Sequence, residues 1–237
     1  MDNPIAPLIP EQESSQQSPD TASPEAVLKI TEVFYSLQGE GLTAGLPTAF
    51  VRLTGCPLRC SYCDTAYAFS GGKPLTVAQI IAQVSDFKTP HVTVTGGEPL
   101  AQPDCLQLLK VLCDQGFQVS LETSGERDIA PVDPRVIRVM DLKTPSSGES
   151  QRNRLENIMH LSSADQVKFV IGAREDYLWA LKMIDEHSLD QRCHLLFSPV
   201  FGQIDPAEMA AWMLTDHVTA RLQLQLHKSL WGDEPGR

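Results

Sequence analysis

The stretch P-T-A-F-V-R-L-T-G-C-P-L-R-C-S-Y-C-D-T, residues 47–65, joins an apolar strand candidate to three closely spaced cysteines. Cys56, Cys60 and Cys63 form a C-x3-C-x2-C array directly after the apolar run at 48–54. Thiolate sulfur is the soft ligand that iron prefers in iron–sulfur clusters. A cluster that only carries electrons is normally closed by four thiolates, so three leave one iron open to another ligand. The array therefore predicts a cluster that binds a further molecule.

Two other interpretations of the array stay open on the residues alone. A zinc knuckle requires a fourth Cys or His, and none occurs in the twenty residues after Cys63. Three buried thiols without a metal are the second alternative. Cys105, Cys113 and Cys193 are different, because their helix and strand positions are typical of small core residues.

Strand and helix patterns alternate along the rest of the chain. Apolar runs predict strands at 28–36, 48–54, 91–95, 117–122, 136–141, 166–171, 193–198 and 220–225. Apolar residues three and four positions apart predict helices at 75–87, 103–115, 174–187 and 206–214. Since the strand runs are mostly continuous, we expect them to be buried on both faces.

This alternation predicts an α/β fold with parallel strands. The chain is shorter than a full eightfold barrel of about 250 residues, so we expect an incomplete, modified TIM-like (β/α) barrel. Function in such folds lies on the loops that follow the strands. In this chain those loops are predicted at 55–65, 96–99, 123–125, 142–148 and 226–229.

Composition limits the classes of function. The chain has 237 residues, a formal net charge of −11 and a pI near 4.9, so its overall field repels nucleic acids and anionic membranes. It has neither a run of about 18 apolar residues nor the order of a signal peptide, so we expect a cytoplasmic protein that contacts no membrane and no nucleic acid directly. Residues 1–26 hold five prolines, five acidic residues and no Lys or Arg, which predicts a disordered acidic extension before one domain at 27–237.

The cysteine array after a strand resembles the radical S-adenosylmethionine (SAM) superfamily. The segment H-V-T-V-T-G-G-E-P at 91–99 is similar to a second signature of that superfamily. Its glycines at a strand end allow a ligand to approach the backbone. The resemblance implies a 4Fe–4S cluster held by Cys56, Cys60 and Cys63, whose open iron binds SAM. It also implies that one electron from the cluster cleaves SAM to a 5′-deoxyadenosyl radical, and that 27–237 is a radical SAM catalytic domain.

Further motifs are similar to those of the 7-carboxy-7-deazaguanine synthase family. They are S-L-Q-G-E-G at 36–41, C-D-T at 63–65, T-G-G-E-P at 95–99, E-T-S-G at 122–125 and H-K at 227–228. The resemblance runs from about Leu28 to Lys228 and implies conversion of 6-carboxy-5,6,7,8-tetrahydropterin to 7-carboxy-7-deazaguanine with loss of ammonia. That reaction is a step toward preQ0 and queuosine, and in the family it requires Mg²⁺.

The same resemblance implies roles for individual residues. Substrate contacts are expected at Leu37, Gln38, Gly39, Arg52 and Thr95, and a Mg²⁺ contact at Thr65. SAM contacts are expected at Tyr62, Asp64, Gly97, Glu98, Ser124, Asp141, Leu142 and Lys143. Lys168 is a further cofactor candidate, and Ser198, Pro199, His227 and Lys228 lie at later strand ends. No catalytic residue is assigned beyond the cluster and SAM.

Some of these residues have simpler alternatives. Asp64 and Thr65 could only turn the chain or cap a helix, and Arg52 could be a solvated charge at a strand end. A guanidinium nevertheless suits a carboxylated pterin, because it can grip a carboxylate with two hydrogen bonds. The family often has S-P-K where this chain has D-L-K at 141–143, which leaves the role of Asp141 open.

The resemblance also implies partners. It suggests a homodimer that receives electrons from a flavodoxin-like or equivalent donor and acts on a small pterin. A different radical SAM enzyme, of the type that activates glycyl-radical enzymes, is the nearest alternative. A non-catalytic iron–sulfur or zinc binding module is an alternative from another class.

Overall fold

A computed structural model of the protein describes residues 26–232, 234 and 236. Within that part of the chain, nine strands form one sheet: β1 (Val27–Leu37), β2 (Pro47–Leu53), β3 (Lys73–Thr76), β4 (His91–Gly96), β5 (Gln118–Thr123), β6 (Ile137–Asp141), β7 (Gln166–Ile171), β8 (His194–Pro199) and β9 (Arg221–Leu222). The α-helices are α1 (Val77–Asp86), α2 (Cys105–Asp114), α3 (Arg174–His187), α4 (Pro206–Thr215) and α5 (Leu226–Trp231).

The sheet is open and mostly parallel. Its strand order is β3-β1-β2-β4-β5-β6-β7-β8-β9, and the seven strands from β2 and β4 to β9 run parallel to one another. β1 runs antiparallel to both β2 and β3. Because β3 and β9 are the two edges of the sheet, the barrel is not closed by a strand ladder. The expected incomplete (β/α) barrel is confirmed.

Three predicted segments differ from the structure. The start of the predicted helix 75–87 belongs to β3, because Thr76 and Gln79 form a capping box that starts α1 at Val77. The predicted strand 220–225 is reduced to β9. The predicted loop 226–229 lies inside α5, a helix too short to show a clear apolar period.

The two faces of the sheet have different chemistry. On the outer face, side chains such as Val94, Leu121 and Phe169 pack with α1–α4 in one hydrophobic core, and each fully buried side chain contributes roughly 1.5–3 kcal/mol. Alternate residues, such as Thr95 and Glu122, point to the inner face. The expected burial on both faces is confirmed for strands such as β4 and β8, but the inner of the two buried faces is polar and so can bind ligands.

Some sequence predictions concern segments that the structure does not describe. The predicted acidic extension at 1–26 lies outside the described residues except for Ala26, which is buried against the core. The prediction of one domain over 27–237 stays a prediction. Across 26–232, 234 and 236, no helix has the length and apolarity needed to cross a membrane.

Candidate active site

A cavity of about 670 Å³ lies on the inner face of the sheet and at the carboxyl ends of the parallel strands. It brings together fifteen of the seventeen residues that the sequence assigns to the site. These are Leu37, Gln38, Gly39, Arg52, Cys56, Cys60, Tyr62, Cys63, Asp64, Thr65, Thr95, Gly97, Ser124, Asp141 and Lys143. Residues distant in the chain meet here because parallel strands end at the same edge of the sheet.

The cysteine loop is held by hydrogen bonds to the loop that follows β6. Ser61 donates from its backbone N–H to Ser147 O at 3.0 Å and from its hydroxyl to Ser146 O at 2.6 Å. The backbone N–H of Arg59 donates to Glu149 Oε1 at 2.6 Å. These contacts fix the backbone between the first and last cysteines of the array. The loop is therefore a preformed ligand site.

The six cysteines fall into two sets that differ in accessibility. Cys56, Cys60 and Cys63 are free and at least partly accessible, whereas Cys105, Cys113 and Cys193 are buried in the core, as predicted. Among the described residues, no group of three His, Cys, Asp or Glu side chains converges closely enough to hold one metal ion. A zinc knuckle needs four convergent ligands, and the described residues offer no such set around these cysteines.

Burial raises the pKa of the thiols of Cys56 and Cys60. Both thiols therefore keep their protons at neutral pH without a metal. A metal ligand must be a thiolate, so loading the loop with iron releases protons. The positive charge of Lys143 acts in the opposite direction and favours both thiolates.

The T-G-G-E-P loop packs directly on the backbone of the cysteine loop. The N–H of Glu98 donates to Gly55 O at 2.8 Å, and that of Gly97 donates to Leu53 O at 3.2 Å. A Cβ on Gly97 would overlap Gly55 and Cys56. Glycine is therefore required at 97 because two backbones meet there.

Glu98 and Leu142 are the two predicted SAM contacts that do not line the cavity. The Glu98 side chain is 0% exposed, and its carboxylate accepts hydrogen bonds from Thr123, Ser124 and Leu100. Leu142 is 1% exposed and belongs to the hydrophobic core. These two side chains support the loops around the cavity, so a SAM contact could come only from their backbones.

Asp141 lies between two lysines in the cavity wall. Its Oδ2 is 3.0 Å from Lys143 Nζ and 3.8 Å from Lys168 Nζ, and Lys168 Nζ is also 2.5 Å from Glu40 Oε2. Burial lowers the pKa of each lysine, but the nearby carboxylates outweigh it and leave both above their ordinary value. Both lysines therefore carry a positive charge at neutral pH.

One oxygen of this charged group is unsatisfied. Oδ1 of Asp141 is buried and accepts no hydrogen bond from any residue in the described part of the chain. An unpaired buried carboxylate oxygen is costly unless a ligand supplies a donor. The nearby Tyr62 hydroxyl pairs with Thr144 Oγ1 at 3.5 Å instead, and burial and the charge of Asp141 raise its pKa to about 12.

The base of the cavity carries hydrogen-bonding groups from three segments. Gln38 Nε2 donates to Thr93 Oγ1 at 3.0 Å and to Glu122 Oε1 at 3.4 Å. The hydroxyl of Thr95 donates to Glu122 Oε2 at 3.0 Å. Burial raises the pKa of Glu122. This group of side chains presents both donors and acceptors at the place where the S-L-Q-G-E-G turn contacts β4 and β5.

The C-terminal segment covers one side of the cavity. The N–H of Leu226 donates to Gly39 O at 3.1 Å, and the imidazole of His227 lies so close to Gly39 that a Cβ there would overlap it. Lys228 Nζ is 3.6 Å from Asp64 Oδ2, and the hydroxyl of Thr65 donates to Asp64 Oδ1 at 2.8 Å. The H-K pair thus links the S-L-Q-G-E-G turn at 36–41 to the residues that follow the last cysteine.

Sequence reasoning assigned no role to several residues of this cavity. They include Glu32 beside Arg52 and the lining residues Glu40, Tyr67, Glu122 and Gln225. Glu40 and Glu122 lie inside the S-L-Q-G-E-G and E-T-S-G motifs quoted above. Their position in a motif near a strand end could have marked both as cavity residues. Glu32 and Tyr67 carried no such signal, since each resembles an ordinary strand or turn residue.

Comparisons with known proteins agree with this geometry. The model of the Radical SAM superfamily matches residues 50–142. A 7-carboxy-7-deazaguanine synthase from Chlorobaculum tepidum is 46% identical over 215 residues, covering 90% of this chain and 98% of the relative. One from Koribacter versatilis is 39% identical, covering 87% of this chain and 98% of the relative.

The fold is also similar to a solved structure. The crystal structure of QueE from Escherichia coli matches with a TM-score of 0.71 at 24% identity, covering 85% of this chain and 95% of that chain. That likeness concerns the fold alone. The two nearly full-length relatives carry the assignment, and the cysteine loop lies where the superfamily match places it. The chain belongs to the 7-carboxy-7-deazaguanine synthase family of radical SAM proteins.

Proposed function

We propose that this protein converts 6-carboxy-5,6,7,8-tetrahydropterin to 7-carboxy-7-deazaguanine with loss of ammonia. The chain covers almost the full length of relatives named 7-carboxy-7-deazaguanine synthase. That name supports 7-carboxy-7-deazaguanine as the product. One observation carries the proposal: the three cysteines of the array and Arg52 line the same cavity. A cluster ligand set and a carboxylate receptor in one cavity are what a radical reaction on a carboxylated substrate requires.

Membership of the radical SAM superfamily implies a 4Fe–4S cluster and SAM. Cys56, Cys60 and Cys63 would hold the cluster, since they are the accessible thiols on the preformed loop. When bound, the reduced cluster and SAM supply the one-electron chemistry that abstracts a hydrogen atom from the substrate. The chain's own residues bind, orient and enclose the reactants.

The wall beside the cysteine loop suits the amino acid end of SAM. Gly96 and Gly97 line this wall, and peptide carbonyls there can accept hydrogen bonds from an ammonium group. The unsatisfied Oδ1 of Asp141 needs a donor. Ser124, Tyr62 and Lys143 add further polar groups to the same wall.

The opposite part of the cavity suits a flat carboxylated pterin. The stacked rings of Phe34 and Phe50, 4.8 Å apart, provide an apolar surface. Gln38, Thr95 and Glu122 offer donors and acceptors to the polar ring edge. Arg52 would bind the carboxylate with two hydrogen bonds.

Mg²⁺ would lie next to Thr65. One hydroxyl is a weak ligand, but Mg²⁺ commonly takes few protein oxygens and fills its shell with substrate and water. Burial opposes ionisation of the neighbouring Asp64, yet the hydrogen bond from Thr65 and the charge of Lys228 lower its pKa below the ordinary value. An ionised carboxylate beside Thr65 would attract the cation.

Other predictions concern the binding partners and the cellular location of the protein. A homodimer, a flavodoxin-like or equivalent electron donor and a cytoplasmic location stay predictions. Each can be checked separately by the mass of the protein in solution, by turnover with purified donors and by cell fractionation.

Product analysis tests the proposed function. The anaerobically reconstituted protein is incubated with SAM, Mg²⁺, a reductant and 6-carboxytetrahydropterin, and the products are identified by mass spectrometry. We expect 7-carboxy-7-deazaguanine and ammonia in equal amounts. Cleavage of SAM without conversion of the pterin would indicate a different radical SAM enzyme, and an absence of cleavage would indicate a non-catalytic cluster protein.

A further inference from the structure

The guanidinium of Arg52 is engaged on one edge only. Its Nε donates to Glu32 Oε1 at 2.7 Å, and the two side chains are 15% and 22% exposed. Neither η nitrogen of Arg52 donates a hydrogen bond to any residue that the structure describes. Arg52 lines the cavity, so the edge formed by its two η nitrogens is available to a ligand.

Tyr67 contacts both members of this pair. Its hydroxyl donates to the same Glu32 Oε1 at 2.8 Å, and its ring centroid is 5.8 Å from Arg52 Cζ. The ring of Phe34 lies 5.6 Å from Arg52 Cζ. Two aromatic rings and a carboxylate therefore restrain the guanidinium plane.

A β-bulge brings Glu32 to the cavity face. Ile30 pairs with Leu53 and Glu32 pairs with Arg52, so Thr31 is an extra residue in β1. Ile30 belongs to the hydrophobic core on the outer face, whereas Phe34 lines the cavity. In a regular strand, residues 30, 32 and 34 would share one face. The bulge reverses the alternation and places the carboxylate opposite Arg52.

We propose that Glu32 is a positioning residue for substrate binding. Together with Tyr67, it fixes the guanidinium of Arg52 so that the two η nitrogens present a ready-made bidentate site for the substrate carboxylate. This inference rests on the proposed function, because it assigns the cavity a carboxylated ligand. Holding the guanidinium in its binding orientation before the ligand arrives reduces the entropy lost on binding.

A purely structural role for Glu32 makes different predictions. If Glu32 only joined β1 to β2, its loss would affect every ligand of the cavity alike. If it acts through Arg52, its loss affects only ligands that carry a carboxylate. Glutamine should also substitute for it, because the amide oxygen can still accept hydrogen bonds from Arg52 and Tyr67.

Ligand binding to the reconstituted protein, loaded with cluster, SAM and Mg²⁺, tests the inference without turnover. Equilibrium dialysis measures the affinity for 6-carboxypterin and for pterin, which lacks the carboxylate. The variants are Glu32→Ala, Glu32→Gln, Tyr67→Phe, Arg52→Ala and the double variant Glu32→Ala/Arg52→Ala. Asp114→Asn is the matched control, since it removes a carboxylate paired with Arg135 at an exposed site on α2.

We expect Glu32→Ala to weaken 6-carboxypterin binding roughly tenfold, the effect of losing one hydrogen bond to a charged group. Its affinity for pterin should stay unchanged. Glu32→Gln should stay within about threefold of the wild type, and Tyr67→Phe should lose about threefold. In the Arg52→Ala background, Glu32→Ala should cause no additional loss. Asp114→Asn should bind both ligands as the wild type does.

Several results would overturn the inference. They are wild-type affinity of Glu32→Ala for 6-carboxypterin, an equal loss for both ligands, or an additive loss in the Arg52→Ala background. If Glu32→Ala does not fold, the other variants still test the inference. It would be overturned if Tyr67→Phe bound 6-carboxypterin with wild-type affinity. It would also be overturned if Glu32→Gln lost as much affinity for 6-carboxypterin as Arg52→Ala does. Failure of the wild-type protein to bind 6-carboxypterin would instead refute the proposed function, and this inference with it.

Discussion

The carboxylate of Glu98 accepts hydrogen bonds from the backbone N–H of Ser124 at 2.7 Å and from its hydroxyl at 2.5 Å. It also accepts from the hydroxyl of Thr123 and from the N–H of Leu100. Glu98 follows β4, and Ser124 follows β5, so one buried side chain joins two loops that line the cavity. Among residues 26–232, 234 and 236, no cationic side chain pairs with this buried carboxylate, so these donors satisfy its oxygens.

Replacing this carboxylate should therefore destabilise the protein. We expect Glu98→Gln to lower the free energy of unfolding by about 2 kcal/mol, because an amide group cannot accept from all of these donors. Urea unfolding of the protein without cofactors measures the change. Glu156→Gln is the control, since Glu156 is exposed and should change the stability by less than about 0.5 kcal/mol. Equal stabilities of the two variants would contradict the role of Glu98.

Removing one cysteine of the array should prevent loading of the cluster. Cys60→Ala should take up iron and sulfide only at background level after anaerobic reconstitution, because two thiolates on the loop cannot hold the cluster firmly. Iron and sulfide analysis and the visible absorption spectrum measure this. Cys113→Ala, a change in the buried core, should load as the wild type does. SAM cleavage by Cys60→Ala at the wild-type rate would refute the ligand assignment.

The contact between Gly39 and His227 should control closure of the C-terminal segment. We expect Gly39→Ala to displace His227, since a Cβ would overlap the imidazole, and to lower pterin affinity roughly tenfold. His227→Ala creates space for that Cβ, so Gly39→Ala should cost less in the His227→Ala background. Equilibrium dialysis of the four proteins measures the coupling. Independent effects of the two changes would show that the contact has no role in closure.

The buried Glu122 should make the stability depend on pH. Burial raises its pKa above the ordinary 4.5, so the folded chain binds this proton more tightly than the unfolded chain does. The contribution of Glu122 to stability is therefore greatest below the ordinary pKa and falls as pH rises through the raised value. We expect Glu122→Gln to gain stability relative to the wild type as the pH rises above the ordinary pKa of 4.5. Urea unfolding at several pH values tests this, and a constant difference would contradict it.

Much of the cavity could be predicted from local patterns. A C-x3-C-x2-C loop after a strand and two glycines at the end of β4 each lie within a few residues, so their chemistry is visible without the fold. The alternation of strands and helices also predicted the open barrel. The short β3, the length of β9 and helix α5 were predicted wrongly, because short elements give little periodic signal.

Side-chain direction required the tertiary structure. Val94 and Thr95 are neighbours in one apolar-looking run, yet the first packs against the helices and the second reaches Glu122 in the cavity. The run contains Thr at alternate positions, and that detail, rather than its average apolarity, reflects the polar interior. The continuous run correctly predicted burial on both faces of β4, but it did not show that one of those buried faces is polar.

By itself, the sequence determined the superfamily of this protein, because the cysteine array and the glycine loop are short contiguous segments with their own chemical meaning. Only the tertiary structure decided how the part of the cavity around Arg52 and Gly39 is built. Glu40 meets Lys168 across 128 positions of the chain, one extra residue in β1 turns Glu32 toward Arg52, and the C-terminal segment reaches Gly39. Such pairings follow from strand order and register, which connect residues that no local pattern links.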